Sequence, residues 1–406
     1  MLFVTMGIRN LIKHKRKTML TLLTVLIGFA CLLLSRGYVH YCLWGLRESI
    51  INGGIGHYQV FKKGYCSLSN ENRHDLVISD YRKVLKSLSL IPGVDFIAPR
   101  LSFEGLLTHN GQSATVCGYG GWNAEEKKLL AFSSLDKGRF PRKNEQFSLL
   151  AGTGLASMVK AQPDDTVTVT VALREGAINA MDFTLSGCMG NQLEELENTF
   201  TCIPLETAQI MLDVPESVDS LILMLSDSSL SPGIEKDLAA CCERYGLEWR
   251  RWDELVPYYG GASAFYSSSM DVAGIVILVI VVFAILNTML MSVFERMREL
   301  GTMRALGTRG GQVLCILGSE GFLLALFGCV AGFILAIIIA TIINAVGGIP
   351  LPPPPGNTRS YRGMIQLQMM DALYYAVFFV AVAVGASLYP AVKAIRCSIA
   401  DTLRWM

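Results

Sequence analysis

The sequence predicts a membrane α-helical protein with four transmembrane helices and both termini cytoplasmic. A large α+β extracytoplasmic domain is expected between helices 1 and 2. Three observations carry this. Only 17% of residues are charged and mean hydropathy is +0.41, whereas soluble globular chains carry roughly a quarter charged residues. The deficit is local: four runs are almost free of charge, and the rest has ordinary soluble composition. Lysine and arginine cluster at particular ends of those runs.

Residues 1–17 carry Arg9, Lys13, Lys15, Arg16 and Lys17 with no acid, and predict a cytoplasmic lead-in segment. The run TMLTLLTVLIGFACLLLS (18–35) opens transmembrane helix 1, expected over 18–40. A basic start before an apolar middle also has the shape of a signal peptide. No small-residue cleavage site follows in SRGYVHYCLW, so a retained signal anchor is expected. Residues 41–270 form the extracytoplasmic domain. AGIVILVIVVFAILNTMLMSV places helix 2 at 271–293. Residues 294–312 form a cytoplasmic loop, and helix 3 follows at 313–345. Helix 3 is longer than the ~20 residues a bilayer needs, so its first part, around Glu320, is expected near the interface or against another helix. GIPLPPPPGN lies in an extracytoplasmic loop, 346–371, and reads as a stiff connector. ALYYAVFFVAVAVGASLY gives helix 4 at 372–390, and 391–406 form a cytoplasmic tail. Orientation follows from Arg296, Arg298, Arg304 and Arg309 in one loop and Lys393, Arg396 and Arg404 after helix 4. The loop between helices 3 and 4 has only Arg359 and Arg362.

In the large domain, GHYQVFKK (56–63) and DTVTVTVAL (165–173) alternate as strands do. Residues 79–91 carry a helical pattern and precede the strand-like DFIAPRLSFEGLLT. SVDSLILML, SPGIEKDLAACCERYG and LEWRRW repeat that strand, helix, strand order. Two such units suggest an α+β domain of two small lobes, with 100–218 mainly β. No nucleophile elbow, H-E-x-x-H motif or aspartate-rich calcium loop occurs. His57, His74 and His109 are scattered and read as surface or satisfied side chains. The eleven cysteines form no CxxC and no zinc spacing. They read as small buried hydrophobes, with room for a disulfide or two; Cys241 and Cys242 sit on a helix and read as core. Catalytic, cofactor and metal sites are therefore not expected, and a net charge of +1 gives no pointer to nucleic acid. Without a G-x-x-x-x-G-K-[ST] loop the chain cannot hold nucleotide phosphates in that way. Glu320 is the only clear acid in the spans, too few for a proton relay. Energy is expected from a separate subunit, through the 294–312 loop.

That loop contains ERMRELGTMRALGTRGGQ. It can form a short helix stopped or bent by Gly307, Gly310 and Gly311. Met297, Leu300, Met303 and Leu306 recur every three residues and give a drifting apolar side, and Glu295 can pair with Arg298 across one turn. Positive-inside charge explains the arginines. A surface that docks a partner protein also explains the glutamates and the apolar side.

ERMRELGTMRALGTRGGQV, followed by LGSEGFLLALFGCVAGFILA, resembles the signature of FtsX/MacB-type ABC transporter permeases. IRNLIKHKRKTMLTLLTVLIG is similar to that family's amphipathic lead-in helix and first span. GHYQV, IPGVDFIAPRLSFEG, LDKGRF, CIPLETAQIML and LYPAVKAIRCSIADTLR resemble further segments, in order. In length and layout the chain is most similar to the lipoprotein-releasing LolC/LolE-like group. Only 17 residues precede the first span, so a separate ATPase is expected rather than the fused one of MacB itself.

The resemblance implies a permease subunit in the inner (cytoplasmic) membrane. It would work with a second permease, the same chain or a homologue, and two copies of an ABC ATPase that bind ATP and magnesium. The loop would be the coupling helix, with Glu295, Arg298, Glu299, Gly301, Arg304, Ala305 and Gly307 contacting the ATPase. Apolar faces of helices 1 and 2 would line the cargo cavity, where Val25, Ile27, Leu278 and Phe283 fall in the right region. Three roles are implied. The chain extracts a hydrophobic cargo, above all lipoprotein, from the outer leaflet by mechanotransmission. Alternatively it exports peptide- or antibiotic-like amphiphiles with periplasmic partners, or, like FtsX, activates a cell-wall hydrolase without transport.

Overall fold

The computed structural model describes residues 15–67, 76–121, 134–142, 145–173, 176–190, 194–227, 231–351 and 361–396. Most of the expected N-terminal helix, His74, the proline run and the end of the tail lie outside them. The chain divides into two compact units. One is Trp44–Gly261 with Leu351–Tyr361. The other is Met1–Leu43, Ala262–Pro350 and Arg362–Met406.

Helix α1 (Lys15–Ile50) comes first, followed by a π-helical turn, Ile51–Ile55. The turn ends at Gly56 with φ 72°, where a Cβ would lie 2.3 Å from Ile222 Cγ2, so only glycine fits. Then follow β1 (Tyr58–Lys62), β2 (Ile78–Ser79), α2 (Tyr81–Leu88), β3 (Val94–His109) and β4 (Gln112–Gly120). Next are β5 (Ser134–Gly138), β6 (Ser148–Gly152), α3 (Thr153–Met158), β7 (Thr166–Ala172) and β8 (Ile178–Gly190). The unit continues with α4 (Glu194–Thr199), β9 (Phe200–Ile203), α5 (Leu205–Met211), β10 (Ser217–Val218) and β11 (Ser220–Leu225). It closes with α6 (Ser231–Tyr245), β12 (Leu247–Arg251) and α7 (Trp252–Leu255).

The main sheet runs β12-β1-β11-β3-β4-β9-β6-β8-β5, with β7 bridging β3 and β8. Strand β3 belongs to two lobes. Its first half pairs antiparallel with β11, Ala98 opposite Ile222. Its second half pairs antiparallel with β4, Phe103 opposite Gly118, and with β7. The first lobe is therefore β12-β1-β11-β3, a split β-α-β arrangement. The two strand–helix–strand units do not make one lobe each. Both enter this lobe, and the second half of β3 with β4 to β9 makes the other.

Strand β11, SLILML, is buried at every position because both its faces are covered. Leu221, Leu223 and Leu225 pack with Val84 and Leu88 of α2 and Leu238 and Cys242 of α6. Ile222 and Met224 pack on the other face with Ile51, Ala98 and Trp252. In the second lobe, β7 alternates as its sequence predicts. Val167, Val169 and Val171 enter a core with Phe103, Leu149 and Phe183, and the intervening threonines stay outside it. Where the chain crosses between lobes, buried Asp219 accepts the Ser102 N–H at 2.6 Å and the Ser220 hydroxyl at 2.7 Å. Burial pushes its carboxyl up, against those hydrogen bonds.

The other unit holds the membrane helices. α8 (Pro257–Glu295), α9 (Met297–Ala305), α10 (Gly310–Ala345) and α11 (Met369–Arg396) follow the sheet residues in the chain. Among the described residues, four helical stretches are long and apolar enough to span a bilayer: Thr18–Ile55, Pro257–Glu295, Gly310–Ala345 and Met369–Lys393. They share one core, with Val25, Phe29 and Leu33 of α1, Val281 and Ile285 of α8, Leu324 and Cys329 of α10, and Phe379 and Ala383 of α11. Small residues bring the helices close, as expected where lipid removes the hydrophobic drive between them. A Cβ on Gly321 would meet Ser387 Cβ at 2.6 Å. Asn344 fixes the segment before α11 by accepting the Ile365 N–H and donating to the Ile365 carbonyl, both at 2.9 Å.

Candidate functional site: the loop helix

The 294–312 loop folds as helix α9 between two sharp boundaries. The first is at Arg296, where φ is −114° and the ladder of α8 breaks. The second is at Gly307, with φ 99°. There the Gly307 N–H donates to the Arg304 carbonyl at 3.1 Å and the Thr308 N–H to the Met303 carbonyl at 3.0 Å. This paired closure is a glycine helix stop. Gly310 and Gly311 do not stop α9; they open α10, where the Arg309 N–H donates to Gln312 Oε1 at 3.0 Å.

The three-residue apolar repeat separates along the helix. Met297 and Leu300 are buried with Val293, Val313, Leu317 and Ala391, and Met303 is partly buried there. Each full burial is worth roughly 1.5–3 kcal/mol. Leu306 is 84% exposed, past the point where the drift leaves the core. Glu299 lies in the first turn and Arg304 in the last, both favourable to the helix dipole.

Of the residues expected to contact an ATPase, Glu295, Arg298, Glu299, Ala305 and Gly307 are exposed, Arg304 is half-buried and Gly301 is buried. Arg298, Glu299 and Ala305, with Thr302, make the outward face of α9. The expected one-turn pairing of Glu295 with Arg298 falls across the break at Arg296. Arg296 joins two carboxylates: its Nε lies 3.1 Å from Glu299 Oε2 and its Nη1 3.2 Å from Glu320 Oε1. In the sequence Arg296 reads as orientation charge. An arginine beside the loop with an acid in the next span was the available signal.

The four expected cavity residues do not form one surface. Val25 is fully buried in the bundle core and Leu278 is half-buried beside that core, whereas Ile27 and Phe283 are 52% and 68% exposed. Among the described residues, His57 and His109 have structural partners. His57 Nδ1 accepts the Leu225 N–H at 3.2 Å, and burial, then Arg47, lower its pKa to about 4. His109 Nδ1 lies 3.0 Å from the Thr166 carbonyl. Among the described residues no two cysteines are joined in a disulfide. Cys188, Cys202, Cys242 and Cys329 are buried, while Cys31, Cys117 and Cys315 are exposed. Burial pushes the Cys242 thiol up to about 12, as suits a core position. Among the described residues no cluster of three metal-ligating side chains converges.

Residues 18–240 match the family profile described as MacB-like periplasmic core domain, and residues 272–399 that described as FtsX-like permease C-terminal. The first spans more than half of the chain. The lipoprotein-releasing system transmembrane protein LolC of Neisseria meningitidis serogroup B is 22% identical over 80% of this chain and 82% of its own length. Its counterpart LolE of Haemophilus influenzae is 22% identical over 83% of each chain. The macrolide export ATP-binding/permease protein MacB of Campylobacter fetus is 24% identical over 82% of this chain but 52% of its own length. With four helices apolar enough to span and these relatives, the chain is a multi-pass membrane protein and belongs to the FtsX/MacB family of ABC transporter permeases.

Proposed function

We propose that this chain is the permease subunit of a transporter in the inner membrane, driven by a separate ATPase that binds ATP and magnesium and docks on α9. Both termini and α9 face the cytoplasm, and the sheet domain faces outside. The cargo is lipoprotein, extracted from the outer leaflet by mechanotransmission, with a second permease completing the complex. The observation that carries this reading is α9 itself. Met297 and Leu300 anchor one side of it in the bundle, and Arg298, Glu299, Thr302 and Ala305 are presented on the other. Gly301 is buried and does not belong to that outer face. The relatives named for lipoprotein release match over most of their own length, which favours that cargo.

Efflux of an amphiphile with periplasmic partners is the second reading, favoured by the MacB relative. Purification of the tagged chain in mild detergent, with mass spectrometry of what accompanies it, separates the two. An ATPase with acylated lipoproteins supports extraction, and an ATPase with a periplasmic adaptor supports efflux. Absence of any ATPase removes the docking role of α9.

A further inference from the structure

Arg296 stands at the junction of α8 and α9 and holds two carboxylates at once. Its side chain is 14% exposed, that of Glu320 on α10 only 4%, and that of Glu299 on α9 53%. One end of this series is therefore reachable from outside the bundle and the other is sealed within it. A charge in such a place is costly unless paired, and a well-packed apolar pair often holds a fold as well or better. The pair thus contributes direction more than stability. Contacts such as those of Leu300 with the α10 side chains can slide, whereas a charged hydrogen bond fixes distance and angle. Only arginine suits the position, because Nε serves one acid and Nη1 the other; lysine offers a single ammonium.

We propose that Arg296 is a positioning residue for energy transmission: through Glu299 and Glu320 it ties the loop helix α9 to the membrane helix α10, so that a push on α9 moves α10 with it. This rests on the reading of α9 as the ATPase docking surface. A partner that engages exposed Glu299 acts on Arg296, and through it on the sealed carboxylate.

The test uses the complex purified through the tagged chain and placed in nanodiscs. Spin labels on unnatural amino acids replace Leu306 at the end of α9 and Phe327 on α10, both exposed, leaving the native cysteines in place. The distance between them is read with and without ATP and vanadate. In the otherwise wild-type chain one narrow distance is expected, together with an ATP-dependent displacement of the Phe327 label relative to a third label on α11. In Arg296→Lys, and in the apolar double variant Arg296→Met with Glu320→Met, the ATPase stays bound, the distance broadens and the displacement on α10 is lost. The double variant leaves no unpaired buried charge, so it separates positioning from mere folding. A wild-type distance and displacement in the double variant overturn the proposal while the docking reading stands. Loss of the ATPase from the double variant also overturns it, since the pair would then belong to the docking surface. A wild-type chain that purifies without ATPase removes the docking reading, and this inference with it.

Discussion

Gly328 of α10 faces Val25 of α1 so closely that a Cβ on the glycine would lie 2.5 Å from Val25 Cγ1. The two helices meet there at backbone distance, and Val25 is fully buried as a result. A larger side chain at 328 must part the helices, and overpacking of this kind costs about 1–3 kcal/mol. Gly328→Val is expected to lower the melting temperature of the detergent-solubilised chain. Gly385→Val, at an α11 glycine with nothing near its Cβ, is expected to leave it almost unchanged. Equal effects of the two would show that the contact is not close.

Gly307 separates two explanations of one residue. The family resemblance assigns it to close approach of an ATPase, whereas the backbone shows a helix stop with φ 99°. A Cβ at 307 meets nothing within 4 Å, so the cost of a side chain here lies in the backbone alone. That cost is about 1–2 kcal/mol for an ordinary L-residue, and asparagine tolerates the left-handed region better than most. Gly307→Asn is therefore expected to keep the ATPase on the purified chain, and Gly307→Val to lose much of it. Loss with both variants would favour close approach instead.

Much of this fold was legible in residues that face one environment. The four apolar runs, the alternation of Val167, Val169 and Val171, and the continuous apolar run SLILML are each a local pattern. Assembly was less legible. Two strand–helix–strand units read as two lobes because nothing local shows that β1 lies between β11 and β12. In the loop helix, the drifting Met297, Leu300, Met303 and Leu306 marked the buried side only as far as Met303. Arg296 and Glu320 are 24 residues apart, and their pairing depends on how α9 folds back on α10. The cavity residues were the least legible, because an apolar residue facing lipid, core or cargo has the same sequence signature.

The proposed orientation can be checked on a native residue. Cys117 is an exposed thiol on β4, while Cys31 and Cys315 lie on membrane-spanning helices. With the sheet domain outside, a membrane-impermeant maleimide is expected to modify Cys117 in intact spheroplasts, and Cys117→Ser to abolish most of that modification. Labelling that appears only after the membrane is breached would place the domain inside and reverse the whole topology.

His57 makes the sheet unit sensitive to acid. Its ring is buried beside β11, with Nδ1 taking the Leu225 N–H, and its pKa falls from 6.5 to about 4. Desolvation is the larger cause, the nearby Arg47 cation adds to it, and Asp227 opposes both. The sign follows from proton counting. Between about pH 4 and 6.5 the unfolded chain binds a proton at this histidine that the folded chain does not. Stability from the neutral ring is therefore complete above the unfolded value and is lost as pH falls toward 4. The full span corresponds to about 3 kcal/mol. Urea unfolding followed by tryptophan fluorescence, with Trp252 stacked edge-on against Tyr259, should show a midpoint that drops as the buffer goes from pH 7 to pH 4.5. His57→Gln is expected to lower the midpoint at pH 7 and to flatten the pH dependence, because glutamine gains no proton. A variant that keeps the wild-type slope would place the titrating group elsewhere.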